Sequence, residues 1–302
     1  MAIAILRRLL SSKMWQQFIL SGIAIGSMYG LVALGFQITY AVSRTMNFSQ
    51  GASVMLGAVL CYTLNINWGW HGAIAVLLTL LASAVFGVLV ERFAVRPFAQ
   101  NGSNSWLLTT IALGIIVENL AMLTFGKEVR AYPSPLAEVP VRVLGFGVFP
   151  IEFVIPVVGL AIALALRLVF TKTLLGKALQ AVSESHDTAR LMGINVERMV
   201  AIAFAISTLL AGIAGMLIAP VTNVSATMGT LLGLKAFATA IIGGLASPWG
   251  VMVAGLLYGG IESVAAGTLG GSYREIIGFA VVIVALAARP NGLFGRMQVK
   301  KV

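Results

Sequence analysis

The chain has 302 residues, of which 59% are hydrophobic and 10% charged, and its mean hydropathy is +0.98. That composition excludes a soluble globular domain and describes a polytopic membrane protein. The net charge of +10 does not point to nucleic acid, because Lys and Arg fall mostly in short loops and near the C-terminus, where cytoplasmic retention places them.

At about 20 apolar residues per crossing the length holds roughly eight or nine spans. The expected fold class is an all-α, polytopic transmembrane helical bundle, one transmembrane domain over residues 1–302. Residues 1–15, MAIAILRRLLSSKMW, lack a small-residue cleavage site after a long apolar run and read as an uncleaved interfacial lead-in. Spans are predicted at 18–42, 49–65, 72–91, 105–125, 151–170, 200–220, 232–247, 250–268 and 274–289. In the first, Gly22, Gly26 and Gly30 recur every fourth residue, a helix-packing spacing that Gly255 and Gly259 repeat in the eighth.

Between the first two apolar runs, Asn47, Ser49 and Gln50 set amide and hydroxyl groups just before Gly51. They read either as a broken helix lining a cavity or as a plain interhelical turn. The single Cys61 allows no intrachain disulfide, and no Cys/His cluster offers a metal site. His71, beside Trp68 and Trp70, reads as interfacial. Glu118 and Asn119 fall in the fourth span, Lys235 opens the seventh and Glu262 lies in the eighth. Charges at such depth face protein or water. Lys235 is a cation at the outer interface, a partner of Glu118 or Glu262, or part of a translocation path. Lys127 to Pro150 has no apolar run long enough to cross and falls on the outer face.

The polar stretch 171–199 carries Lys172, Lys177, Arg190 and Arg198, and is expected in the cytoplasm with the basic tail at Arg289, Arg296, Lys300 and Lys301. Within it, Gly176 to Val182 continues a helical pattern. Ser185 or Asp187 can cap a second short helix bearing Ala189, Leu191 and Met192, with Gly193 as its stop. Such a helix lies on the membrane or docks into a partner.

Two stretches look like a weak repeat: MNFSQGASVMLGA (Met46 to Ala58) and LLGLKAFATAIIGG (Leu231 to Gly244) are both short, rich in small residues and followed by another apolar span. Inverted repeats place transport sites at their interface. Crossing by both gives nine spans and an outer N-terminus, whereas Arg7, Arg8 and Lys13 favour an inner one. No G-x-x-x-x-G-K-[ST] or H-E-x-x-H pattern is present, so the chain is not read as an ATPase or an enzyme.

MNFSQGASVMLGA, GKALQAVSESHDTARLMGIN (Gly176 to Asn195) and KAFATAIIGGLASPWG (Lys235 to Gly250) resemble the permease subunits of ABC importers of the branched-chain amino acid type, specifically the LivH-like half. ERFAVRP (Glu91 to Pro97) and YREIIGFAVVIVALAARPNGLFG (Tyr273 to Gly295) add to the likeness. The resemblance implies a bacterial inner-membrane subunit paired with a LivM-like second permease, two LivG/LivF-like ATPase subunits and a periplasmic solute-binding protein. It implies no cofactor in this chain, ATP and Mg²⁺ being used by the partner ATPases. The ATPase-coupling segment would comprise Glu184, Ser185, His186, Asp187, Ala189, Arg190, Leu191, Met192, Gly193 and Asn195. The path candidates are Asn47, Phe48, Gln50 and Lys235. Where many relatives carry N-F-A-H-G-E, this chain has Asn47-Phe48-Ser49-Gln50-Gly51-Ala52, which removes a His and an acid. A stand-alone secondary transporter, coupled to protons or sodium through Glu118, Glu262 or Lys235, is the rival reading, and a scaffolding subunit a further one.

Overall fold

The computed structural model describes residues 12–99, 103–143, 146–289 and 292–295. Residues 1–11 of the expected lead-in, and Arg296, Lys300 and Lys301 of the basic tail, lie outside the described residues. From Ser12 onward the lead-in is already part of the first helix.

A helix occupies each of the nine predicted apolar stretches: α1 (Ser12–Ser43), α2 (Gln50–Tyr62), α3 (Gly72–Leu89), α4 (Trp106–Thr124), α5 (Ile151–Lys172), then, after the two loop helices α6 (Leu174–Glu184) and α7 (His186–Leu191), α8 (Val196–Thr222), α9 (Met228–Gly243), α10 (Pro248–Leu269) and α11 (Tyr273–Ala288). Among the described residues six helical stretches are long and apolar enough to cross a membrane: Trp15–Ser43, Gly72–Ala99, Trp106–Thr124, Ile151–Lys172, Val196–Thr222 and Pro248–Leu269. Large apolar side chains such as Leu77, Leu108, Leu123 and Ile283 stand exposed on these and neighbouring helices, as a hydrocarbon solvent allows. The chain is a multi-pass membrane protein.

Local chemistry sets the helix ends. Ser185, Asn195 and Ser247 accept from the backbone N–H of Thr188, Arg198 and Gly250 at the starts of α7, α8 and α10, relieving orphan donors. His71 does the same for α3 through Nδ1, which accepts from Ala73 N–H at 3.3 Å. The predicted seventh span, 232–247, runs four residues too late at both ends. Gly244, at φ +85°, closes α9 at Gly243, and Pro248 restarts the chain as the first residue of α10. Two short strands, β1 (Val141–Val143) and β2 (Phe146–Val148), pair antiparallel with Val141 opposite Val148. This hairpin is not legible in the sequence, because three-residue strands give too short a run for period-two patterning to register.

The chain folds as two compact units. The first comprises Met1–Gly30, Pro133–Leu160 and Ala238–Val302. Here α1 meets α10 backbone to backbone: a Cβ on Gly22 would sit 2.7 Å from Gly260 Cα, one on Gly26 would sit 2.6 Å from Gly255 O, and one on Gly30 would sit 3.1 Å from the Met252 sulfur. Glu262, wholly buried on α10, accepts from the Tyr29 hydroxyl at 2.8 Å and from Arg274 Nε at 3.2 Å. Its charge is thus held by a cation and a phenol, as a buried carboxylate requires.

The second unit comprises Leu31–Tyr132 and Ala161–Phe237. Its centre is α2, in which 11 of 13 residues are buried; a helix this apolar all round belongs in an interior. α2 lies against α8 through small residues, and a Cβ on Gly57 would collide with the Gly212 carbonyl oxygen. Beyond Leu89, α3 continues through a π-helical stretch, Val90–Val95. That widened turn brings residues five apart onto one face. Arg96 there grips Glu91 with a two-bond fork, Nε to Oε1 at 2.9 Å and Nη2 to Oε2 at 2.8 Å, and reaches Glu197 at 3.3 Å. The ERFAVRP stretch is therefore a structural ion pair between the end of α3 and the start of α8.

Candidate functional site

Within the second unit a groove of about 310 Å³ is lined by Phe36 of α1, Phe48, Gly51 and Ala52 at the start of α2, Ile111, Gly114, Ile115 and Glu118 of α4, and Thr230, Gly233, Leu234 and Phe237 of α9. This volume falls in the range of small-molecule sites. At its edge α2 and α9 approach most closely through glycines. A Cβ on Gly51 would meet Gly229 O at 2.5 Å, and one on Gly233 would meet Gly51 Cα at 2.7 Å. Three rings cover one part of the wall, Phe237 lying 5.6 Å from Phe36 and 5.2 Å from Phe48, centroid to centroid. On another part the Thr230 hydroxyl donates to Glu118 Oε2 at 2.6 Å.

The path candidates separate. Phe48 lines the groove; Asn47 and Gln50 build its wall from behind. Asn47 Oδ1 accepts from Ser49 N–H at 3.1 Å and from the Ser49 hydroxyl at 2.5 Å, and its Nδ2 donates to Gln50 Oε1 at 3.2 Å. Gln50 Nε2 donates to Ser207 O, and the Ser207 hydroxyl donates to Gln50 Oε1, both at 3.0 Å. All four residues are fully buried. The amides satisfy each other and fix α2 to the middle of α8, which is how polar groups persist at depth. Lys235 is 3% exposed and does not line the groove.

The residues expected in the coupling segment form one helical pair. α6 ends at Glu184, Ser185 caps α7, and Gly193, at φ +79°, reverses the chain towards Asn195, the cap of α8. Ala189 is buried, whereas Leu191 and Met192 are 88% and 78% exposed. Asp187 and Arg190 are exposed on α7, 3.9 Å apart. His186 Nε2 lies 2.7 Å from Val42 O, and Arg44 Nη2 donates to Ser183 O at 3.0 Å. The loop is thereby fastened to the end of α1, three residues before Asn47. Outside the spans, burial pushes the Tyr132 phenol above the usual tyrosine range.

The family described as "Branched-chain amino acid transport system / permease component" matches residues 18–286 of this chain. The chain belongs to that permease family. It is 30% identical over 299 residues, 95% of this chain and 97% of the relative, to the high-affinity branched-chain amino acid transport system permease protein BraD of Pseudomonas aeruginosa. Similarity to the corresponding LivH protein of Escherichia coli is 29% over the same shares. A more distant relative, the autoinducer 2 import system permease protein LsrC of Photorhabdus luminescens, is 26% identical over 85% of this chain and 72% of its own. This permease is a LivH-like transport subunit of an ABC system and not an enzyme, with hydrolysis carried by separate ATPase subunits.

Phe36, Phe237 and Thr230 are not singled out by the sequence reading. One signal is available for Phe237: each of the two repeat-like stretches of this permease brings one phenylalanine, Phe48 or Phe237, to the same groove. Ala52 puts a methyl group on its wall.

Proposed function

We propose that this permease forms, with a LivM-like second permease, the translocation path of an importer in the bacterial inner membrane for branched-chain amino acids or a related small solute. Two LivG/LivF-like ATPases and a periplasmic solute-binding protein complete the assembly, ATP and Mg²⁺ acting on the ATPases and no cofactor on this chain. The observation that carries this reading is the groove at the crossing of α2 and α9. These are the short helices of the two repeat-like stretches, and paired short segments of this kind mark transporter sites. Gln50–Asn67 is continuously helical and spans roughly 25 Å at 1.5 Å per residue, which favours nine crossings over eight and an inverted repeat. ATPase closure would displace the α6–α7 pair, and the fastening of that pair to α1 would pass the motion to the groove wall as rigid-body rocking.

The test is affinity purification of the tagged chain in mild detergent, followed by ATPase and transport assays on the product in liposomes. Recovery of a second permease and two ATPases, with vanadate-sensitive solute uptake, is expected. Recovery of the chain alone, with uptake that follows a proton or sodium gradient, would overturn the reading. In the same preparation Gly193→Val is expected to lower ATPase recovery about tenfold without loss of membrane insertion. A β-branched residue at positive φ costs about 1–3 kcal/mol, whereas Gly193→Asn, which tolerates that conformation, should retain recovery. Undiminished recovery in the valine variant would remove α7 from the coupling contact.

A further inference from the structure

The groove is chemically lopsided. Its lining is aliphatic and aromatic apart from Glu118 and Thr230, and among the described lining residues there is no Lys, Arg or His. The one carboxylate is positioned: Thr230 donates to Oε2 at 2.6 Å, which leaves Oε1 as the acceptor open to an occupant. Asn119, next along α4, is satisfied within its own helix by donating to Ile115 O at 2.8 Å, so it does not compete for that acceptor. Lys235, the cation nearest in sequence on α9, is buried and outside the lining. Apolar walls around a single charge focus its field into the cleft and concentrate ions of opposite sign there by about 10- to 1000-fold. An anion entering the same space would give up hydration and find no cation to replace it.

We propose that Glu118, held by Thr230, is a specificity-determining residue of this permease, and that the groove takes a small solute leading with an N–H-donating head, amine or amide, against Glu118 and resting its apolar body on Phe36, Phe48 and Phe237. Anionic solutes without an N–H-donating head are turned away. This rests on the reading of the groove as part of the path, and the two are separable by experiment.

The probe is a pair of thiol reagents of opposite charge. In the assembled transporter Cys61 is replaced by Ala, and Ala52→Cys places a thiol on the groove wall. Rates of modification by trimethylammonium-ethyl and sulfonatoethyl methanethiosulfonate are measured at low ionic strength and normalised to a free small thiol. The cationic reagent is expected to react about tenfold faster or more. Glu118→Asp should keep that preference; Glu118→Gln and Glu118→Ser, either of which suffices if the other fails to fold, should bring the ratio to about twofold or less. Equal rates with Glu118 in place, or a preference that survives its neutralisation, would overturn the assignment of Glu118 while leaving the groove an open path. No reaction with either reagent in the assembled transporter, when the unfolded chain reacts with both, would overturn the path reading itself.

Discussion

Gly51→Val is expected to abolish transport and to leave little monodisperse protein after extraction, and Gly51→Ala to lower stability by about 2–3 kcal/mol. Any Cβ at position 51 would stand 2.5 Å from Gly229 O, and one at position 229 would be close to Gly51 O and 2.9 Å from Met55 Cβ. These obstacles are mostly backbone, so no side chain can rotate away and the helices must separate. Overpacking of one methyl group already costs about 1–3 kcal/mol, and the two further methyls of valine enter the same gap. Separation of α2 from α9 would also pull Gly51 and Gly233 apart, and both line the groove. Thermal melts followed by fluorescence-detected size exclusion, alongside uptake in liposomes, measure both effects. An alanine variant with wild-type melting and uptake would show that the crossing is looser than described.

The second large effect is expected at the end of α3. Arg96→Met should destabilise the permease by about 3–5 kcal/mol, the range for stranding one partner of a buried ion pair. Glu91, 3% exposed in its side chain, would lose both bonds of the fork. Arg96→Lys should recover only part of the loss, since an ammonium cannot make the two parallel bonds that a guanidinium offers. The double variant Glu91→Gln, Arg96→Met removes the stranded charge and should be milder than Arg96→Met alone. A double-mutant cycle on melting temperature reads the coupling directly. Additive single effects would mean that the pair contributes nothing specific.

What can be read in advance follows the range of the interactions. Helices declare themselves through long apolar runs. The cap at Ser185 and the reversal at Gly193 rest on neighbours within a few residues, so their residue types suffice. The π-helical stretch at Val90–Val95 is not legible, because nothing in its composition distinguishes it from ordinary helix; only the Glu91–Arg96 spacing, once the fork is known, accounts for it. The polar run at Asn47–Gln50 stands out for the right physical reason, polarity at depth, yet its geometry is hidden. Gln50 answers to Ser207, 157 residues away, and a side chain that turns its amide into the wall has the same letter as one that turns it into a path. Glu118 stands out as a charge in an apolar span. Its neighbourhood of rings comes from α1, the turn before α2 and, far away in sequence, α9, and becomes visible only when they are assembled.

The fastening of the loop to the end of α1 limits how the permease can be moved. Arg44 is tied to Ser183 and His186 to Val42, while Asn47 is locked through Gln50 to α8. From Arg44 to Asn47 the chain has three residue steps, at most about 11 Å when fully drawn out. A tether that short can take up only a small displacement before it is drawn taut. Under the proposed coupling, a displacement of α7 would either break one of these hydrogen bonds or pass to Phe48 on the groove wall through a few peptide bonds rather than through the compliance of a whole bundle.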